Sequence, residues 1–106
     1  MMNSDPPGVP EYSRNISVVI CTYNREKFIG KALECLSRQD LQKDKFEILI
    51  VDNRSTDRTA AICGKFIAAH PDLSVRYFFE DKKGLSFARN RGLQESIAPI
   101  ITEASA

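Results

Sequence analysis

Short unbroken apolar runs alternate along this chain with longer stretches in which apolar residues recur at helical spacing. Two of the runs, ISVVIC (16–21) and FEILIV (46–51), are rich in β-branched residues, as is typical of strands covered on both faces. A third run, LSVRYFF (73–79), alternates in part and also predicts a strand. The apolar residues at 97–101 predict the start of a fourth strand.

Two helices are predicted between the first three strands. One lies within residues 25–39, and the other covers 56–69, with Ser55 or Thr56 as its N-cap and Asp57 in its first turn. An acidic side chain in that turn suits the positive end of the helix dipole. The face of the first helix that we expect to pack on the sheet comprises Phe28, Ile29, Ala32, Leu33 and Leu36.

A third helix is predicted over 87–96, after a turn at 82–84, with Ser86 as its N-cap. The resulting β-α-β-α-β-α-β order predicts a Rossmann-like α/β fold. This is a three-layer α/β/α arrangement with a mainly parallel sheet and right-handed crossovers. Residues 1–15, which contain three prolines, predict a flexible N-terminal arm, so that 16–106 would form one partial α/β domain.

The sequence ends where the fourth strand would be completed. We therefore expect a fold truncated at about this strand, with at least one exposed sheet edge. Because an exposed edge can pair with another strand, a homo-oligomer assembled through that edge is one expected consequence.

Composition and charge exclude several classes of protein. Fifteen basic residues balance fourteen acidic ones, which argues against a nucleic-acid partner, and no apolar stretch approaches the 18 residues typical of a membrane span. Three cysteines without a C-x-x-C pair, and a single histidine, favour buried thiols over a zinc site. With no secretory signal at the N-terminus, this usage favours a reducing, cytoplasmic location.

Polar residues follow each predicted strand, at the sheet edge where parallel α/β folds bind ligands. Tyr23 after the first strand offers a flat face for a base. Asp52 after the second can accept hydrogen bonds from a base or a ribose. Lys83 and Arg89, together with the amides that begin the third helix, can neutralise a diphosphate. This inventory suits a nucleotide, although such residues also serve simply as loop and cap residues.

Several other chemistries lack their motif. The sequence contains no G-x-G-x-x-G after the first strand, no G-x-x-x-x-G-K-[ST] and no G-x-S-x-G elbow. The lone histidine, His70, stands beside Pro71 at a helix end, which favours a capping role over that of a catalytic base.

Three segments in order resemble the front half of a family 2 glycosyltransferase of the GT-A fold. They are ISVVICTYNR (16–25), FEILIVDNRSTDRT (46–59) and GLSFARNRG (84–92). The resemblance implies transfer of a sugar from a nucleotide-sugar donor, commonly UDP-linked, to an acceptor hydroxyl with inversion at the anomeric carbon. The acceptor is not implied. One departure is Cys21, where the family most often has proline.

The resemblance also assigns roles to individual residues. Thr22, Tyr23 and Arg25 would line the base and ribose pocket. Asp52 would hydrogen-bond the base, Asn53 would shape the loop beside it, and the stretch from Gly84 to Arg89 would border the donor near its base and phosphates. The expected nucleotide-sugar-binding residues are thus Thr22, Tyr23, Arg25, Asp52, Asn53, Lys83, Gly84 and Arg89.

The resemblance further implies Mg²⁺ or Mn²⁺ in the complete enzyme, held by an Asp-x-Asp motif that closes the fourth strand. Residues 100–106 contain no aspartate, so no metal ligand and no catalytic residue is predicted in this chain. We expect a donor-binding part that is inactive by itself, located in the cytoplasm or at the inner face of the membrane in the full-length protein. The alternative is a non-catalytic nucleotide-binding or interaction module that assembles through its sheet edge.

Overall fold

A computed structural model describes residues 16–38 and 45–96 together with the backbone of 100–105, and the predicted arm at 1–15 lies outside this part of the chain. Its elements, in chain order, are β1 (Ile16–Thr22), α1 (Ile29–Ser37), β2 (Phe46–Asp52), α2 (Thr59–Ala69), β3 (Ser74–Phe79), α3 (Leu85–Glu95) and β4 (Ile100–Ser105). The predicted α/β order is confirmed.

The four strands form one parallel sheet in the order β3-β2-β1-β4. The fourth strand is longer than predicted, because it pairs with β1 from Ile16↔Ile100 to Cys21↔Ser105. Strands β3 and β4 are the edges of this sheet, and pairing of either edge with a second copy stays a prediction.

Apolar side chains alternate between the two faces of the sheet and so create two cores. On one face, α1 and α2 pack against four strand residues, Val18, Ile20, Ile48 and Ile50. The helix residues of this core are Ile29, Leu33, Cys63 and Phe66. Val19, Leu49 and Val51 pack on the other face against Ala88 of α3. The three-layer arrangement follows from this alternation, since each central strand is covered on both sides.

Helix starts are where the sequence-based predictions were wrong. Helix α1 begins at Ile29, after a turn, and Phe28 is 62% exposed rather than packed on the sheet. Helix α2 begins at Thr59 instead of residue 56, and α3 begins at Leu85, so that Ser86 lies inside the helix rather than capping it. Ser55 and Thr56, which resemble caps of α2, bond Asn24 in the neighbouring loop instead.

The cysteines are only partly as predicted. Cys63 is buried between α2 and the sheet, whereas Cys35 is exposed and Cys21 is half-buried. Within the part of the chain that the structure describes, no helix has the length and apolar character needed to cross a membrane.

A charged residue lies near the start of the second strand. Glu47 is fully buried and accepts hydrogen bonds from the hydroxyl of Ser17 (2.5 Å) and the guanidinium of Arg76 (3.0 Å). The same guanidinium nitrogen donates to the carbonyl of Glu95 at 2.6 Å. Because a buried charge is costly without partners, this network fixes the C-terminal end of α3 against β2 and β3.

Helix α3 packs closely on β1 through a glycine. A Cβ atom at Gly92 would lie 2.4 Å from Cγ1 of Val19, which is itself 1% exposed in the core. A contact this short cannot exist without movement, and a β-branched core side chain has little freedom to move. Only glycine therefore fits where the helix crosses the strand.

We predict that Gly92→Ala lowers the free energy of unfolding by about 1–3 kcal/mol, the usual cost of overpacking a core. The matched control is Gly64→Ala in α2, where an added Cβ meets nothing within 4 Å. That variant should be more stable by up to about 1 kcal/mol, because alanine has the higher helix propensity. Urea denaturation measures both, and equal effects of the two substitutions would contradict the packing argument.

Candidate functional site

A cleft of about 920 Å³ opens at the carboxyl ends of β1 and β2, beside the first turn of α3. Its volume lies in the range of small-molecule sites. The residues lining it are Cys21, Thr22, Tyr23, Arg25, Phe28, Asn53, Lys83, Gly84, Leu85 and Ala88. Three segments that are distant in sequence thus meet where an open parallel sheet normally binds its ligand.

Most of the residues predicted from sequence lie on this cleft. They are Thr22, Tyr23, Arg25, Asn53, Lys83 and Gly84. Two predicted residues do not line it: Asp52 is fully buried, and Arg89 is an exposed residue of α3. Four lining residues are not among the eight predicted, namely Cys21, Phe28, Leu85 and Ala88, and the last two lie within the stretch from Gly84 to Arg89 that was expected to border the donor.

Asp52 lies beneath the cleft, with both carboxylate oxygens bonded inside the fold. Its Oδ1 accepts the amide of Ser55 at 2.8 Å, and its Oδ2 accepts the hydroxyl of Tyr77 at 2.5 Å. Strand alternation places its side chain on the same sheet face as Ile50, where Tyr77 also packs. The hydrogen bond to a base that the sequence suggested is not supported by this position.

Two neighbours of Asp52 remain protonated at neutral pH. Burial and the hydrogen bond to Asp52 raise the pKa of Tyr77 well above its usual value. Burial and the nearby Asp52 charge raise the pKa of the Cys63 thiol to about 12. Tyr77 therefore stays a hydrogen-bond donor to Asp52, and Cys63 is an inert core residue rather than a nucleophile.

Asn53 ties the second loop of the cleft to the third. Its Nδ2 donates to the carbonyls of Lys82 (2.7 Å) and Glu80 (3.4 Å), and its Oδ1 accepts the amide of Gly84 at 2.9 Å. Gly84 has a φ of 131°, which residues with a Cβ rarely adopt. One amide side chain and one glycine together set the turn that carries Lys83 into the cleft.

A second set of hydrogen bonds joins the loops after β1 and β2. Asn24, in the left-handed region at φ 49°, donates its amide to the hydroxyl of Ser55 at 2.8 Å. Its Oδ1 accepts the amides of Thr56 (2.7 Å) and Asp57 (3.3 Å). Asparagine suits this backbone conformation, because its short polar side chain bonds locally. Ser55 and Thr56 are thereby recruited away from capping α2.

The side chains of Asp57 and Glu26 join the same two loops a second time. Oδ2 of Asp57 accepts the amide of Glu26 at 3.2 Å, and its Oδ1 accepts the amide and hydroxyl of Thr59 at 2.9 and 2.6 Å. Glu26 returns a bond from Oε1 to the amide of Arg58 at 3.0 Å. Burial acts to raise the pKa of Asp57, but these hydrogen bonds outweigh it and lower that pKa.

Side chains with different chemistry face the opening of the cleft. Tyr23 is 42% exposed, and Nζ of Lys83 lies 4.9 Å from its ring centroid, within cation–π range. Arg25 supplies a second cation. Thr22 also lines the cleft, and its hydroxyl oxygen is buried with no hydrogen-bond partner among the described residues.

The described residues do not fit the divalent cation that the sequence resemblance implies. No three His, Cys, Asp or Glu side chains within them come close enough together to hold a metal ion. The Asp52 carboxylate, at the end of β2, is already bonded to Ser55 and Tyr77.

Comparison with known proteins gives a consistent picture. A sequence profile described as Glycosyl transferase family 2 matches residues 17–104. The chain is 35% identical over 81 residues to a Methanococcus voltae protein named dolichyl N-acetyl-alpha-D-glucosaminyl phosphate 3-beta-D-2,3-diacetamido-2,3-dideoxy-beta-D-glucuronosyltransferase, covering 76% of this chain and 25% of that one. It is 35% identical over 86 residues to glycosyltransferase AglE of Haloferax volcanii, with coverages of 81% and 28%.

Solved structures agree with these relatives. The mannosyltransferase PcManGT from Pyrobaculum calidifontis, in complex with GDP-Man and Mn²⁺, superposes with a TM-score of 0.80 at 29% identity, covering 94% of this chain and 31% of that one. Residues 1–349 of S. aureus TarS, in complex with UDP-GlcNAc, give a TM-score of 0.78 at 30% identity, with coverages of 86% and 26%. The chain spans about a quarter to a third of the length of the relatives it matches.

Arg54 offers a test of backbone strain beside the cleft. It adopts a φ of 65°, a backbone conformation that is unfavourable for residues with a Cβ. Its ion pair with Asp81 is long (3.8 Å) and exposed to solvent. We predict that Arg54→Gly raises the free energy of unfolding by about 0.5–1 kcal/mol. Arg54→Ala removes the same ion pair but keeps the Cβ, so it should give no gain. Chemical denaturation separates the two, and a gain in both variants would locate the cost in the side chain instead.

Asp57 predicts a pH-dependent contribution to stability. Because its pKa is lowered by folding, the stabilisation is present above the unfolded pKa of about 4 and is lost as pH falls through the lower folded value. Asp57→Asn should therefore be less stable than the parent at pH 7, and the gap should narrow as the pH falls below 4. Urea midpoints across this range measure the gap. Asp81→Asn, at an exposed site, is the control, and a gap for Asp57→Asn that does not change with pH would contradict the assignment.

Proposed function

The chain belongs to glycosyl transferase family 2, and from that membership we propose that its cleft binds the nucleotide part of a nucleotide-sugar donor, with a UDP-sugar as the donor class. The observation that carries the proposal is the composition of the cleft: one exposed tyrosine, two cations and the start of a helix around a single opening at the carboxyl end of the sheet. This set of groups can bind a flat ring, a flexible polar sugar and a diphosphate.

In the proposed complex the base stacks on Tyr23, whose ring is the exposed aromatic face after β1. Lys83, which now lies over that ring, exchanges its contact with the ring for one with the diphosphate. The exchange is favourable because a lysine–phosphate contact is stronger than an exposed cation–π contact. Arg25 on the opposite loop supplies the second cation.

The same proposal gives Asp52 and Asn53 positioning roles. Asp52 holds Ser55 and through it Asn24, so it fixes the loop on which Tyr23 lies. Asn53 holds the turn that carries Lys83 and Gly84. Both residues thus act on the donor through the loops they fix.

The choice of UDP is supported by the relatives. TarS, at 30% identity, has been solved with UDP-GlcNAc and with UDP, whereas PcManGT, at 29% identity, was solved with GDP-Man. In the reaction we propose, the bond between the anomeric carbon and the diphosphate breaks and the nucleoside diphosphate leaves. The acceptor oxygen bonds to that carbon from the opposite side, which inverts it, and the hydroxyl proton passes to a base. The residues described here bind and orient the donor and include no assigned general base, so this chain alone is proposed to be inactive in transfer.

Calorimetric titration of the chain with UDP, GDP and uridine tests the proposal. We expect UDP to bind, and Lys83→Met to weaken UDP about tenfold while leaving uridine unchanged, because a hydrogen bond to a charged group contributes on the order of 1.5 kcal/mol. Lys65→Met is the matched control, since Lys65 is an exposed lysine of α2 that does not line the cleft.

Absence of binding by every nucleotide would overturn the proposed function. Tighter binding of GDP than UDP would keep the site and change the donor class. Equal losses in the Lys65 and Lys83 variants would show that the loss comes from net charge rather than from a contact at the cleft.

A further inference from the structure

Phe28 is the most exposed of the large apolar side chains in the described residues, at 62%. It lies just before helix α1, where the neighbouring core positions are already filled by Ile29 and Leu33, both at 0% exposure. Truncating Phe28 would therefore remove little buried area from the fold, and folding alone does not explain a phenylalanine at this position.

The backbone around Phe28 is held firmly. Its amide donates to the carbonyl of Arg25 at 2.9 Å, as does the amide of Ile29 at 2.8 Å. The carbonyl of Phe28 accepts the amide of Ala32 at 3.0 Å, and the amide of Arg25 is in turn bonded to the hydroxyl of Thr59 at 3.0 Å. The backbone that carries the ring is thus fixed before a ligand binds, which reduces the conformational entropy that a ligand contact would cost.

Phe28 lies between two clefts and lines both of them. On one side is the large cleft, and on the other is a smaller one of about 360 Å³, whose further lining residues are Asn24, Glu26, Lys27 and Asp57. In the smaller cleft Oδ1 of Asn24, Oε1 of Glu26 and both oxygens of Asp57 already accept hydrogen bonds from the loops. It has few polar groups left with which to fix a ligand.

The large cleft brings other exposed apolar side chains together with Phe28. Phe28 shares it with Leu85 (57% exposed) and Tyr23 (42% exposed), and cations lie at its edge. An exposed apolar patch with a polar rim is the usual mark of a ligand groove. The large cleft is therefore the one in which a ligand would cover Phe28.

We propose that Phe28 is a ligand-contact residue of the large cleft, whose ring packs against the nucleoside of the bound nucleotide as a second aromatic wall beside Tyr23. This inference rests on the proposed function. A phenyl ring has no hydrogen-bonding group, so it adds affinity without reading base identity. Its contribution is also independent of the diphosphate, which sets it apart from that of Lys83.

The test is calorimetric titration of the parent chain, Phe28→Ala and Phe28→Leu with UDP and with uridine. Phe28→Ala should weaken both ligands by the same factor of about tenfold, in the lower part of the range measured for base–aromatic stacking. Phe28→Leu should recover part of the loss, since it restores apolar area but no ring. The urea midpoint of either variant should stay within error of the parent, because the side chain is exposed.

Phe79→Ala is the matched control. Phe79 is 48% exposed at the end of β3 and does not line the cleft, so its removal should leave both affinities unchanged. Unchanged affinities in Phe28→Ala, while the parent binds UDP and Lys83→Met weakens it, would overturn the role of Phe28 and leave the proposed function standing. Failure of the parent to bind either ligand would overturn both.

Discussion

The geometry of this site depends on one hydrogen-bonded junction at the carboxyl end of the central strands. Thr22 and Asp52 are register partners in β1 and β2, and the amide of Asn53 donates to the carbonyl of Thr22 at 2.8 Å, extending the ladder by one bond past the strands. From that point the Asp52 carboxylate controls the loop after β2, and the Asn53 amide controls the turn after β3. Since each loop is held by side chain to backbone bonds, the cleft walls do not need the regular structure of a strand or helix to stay in place.

This dependence explains why Ser55 and Thr56, which resemble helix caps, are not caps here, although Asp57 accepts the amide of Thr59 at the start of α2. Ser55, Thr56 and Asp57 have the composition of an N-terminal helix signal, and the signal is a sound prior for an isolated segment. In the fold they bond Asn24 and Glu26 across the loops, and α2 begins two to three residues later. A local motif cannot disclose this, because its competing partners lie about 30 residues away in sequence and become neighbours only through the parallel pairing of β1 and β2.

The order of elements, the parallel sheet and most of the cleft residues could be predicted from sequence, since apolar runs and strand ends are local features. Two residues show different limits of the sequence patterns. Counting by two from Ile48 and Ile50 places Asp52 on the sheet face covered by α1 and α2, so strand alternation alone predicts that its side chain is buried. Helical spacing counted back from Ile29 and Leu33 places Phe28 on the core face, because no sequence signal marks the turn in which the helix begins.

The position of the cleft residues bears on what the chain can do. Every residue that lines the cleft, from Cys21 to Ala88, falls inside the segment of 17–104 that matches the family profile. The two packed faces that support it are also internal to that segment: Gly92 against Val19 on one side, and Ile29 and Leu33 against the sheet on the other. The contacts proposed here for the donor therefore all come from the segment that matches the family profile. Transfer of the sugar also needs a base and a group that stabilises the leaving diphosphate. The carboxylates that the described residues place near the cleft are already bonded within its loops. On the proposal made above, the carboxylates of this cleft serve to hold its loops in place, and the donor is bound by the side chains that those loops present.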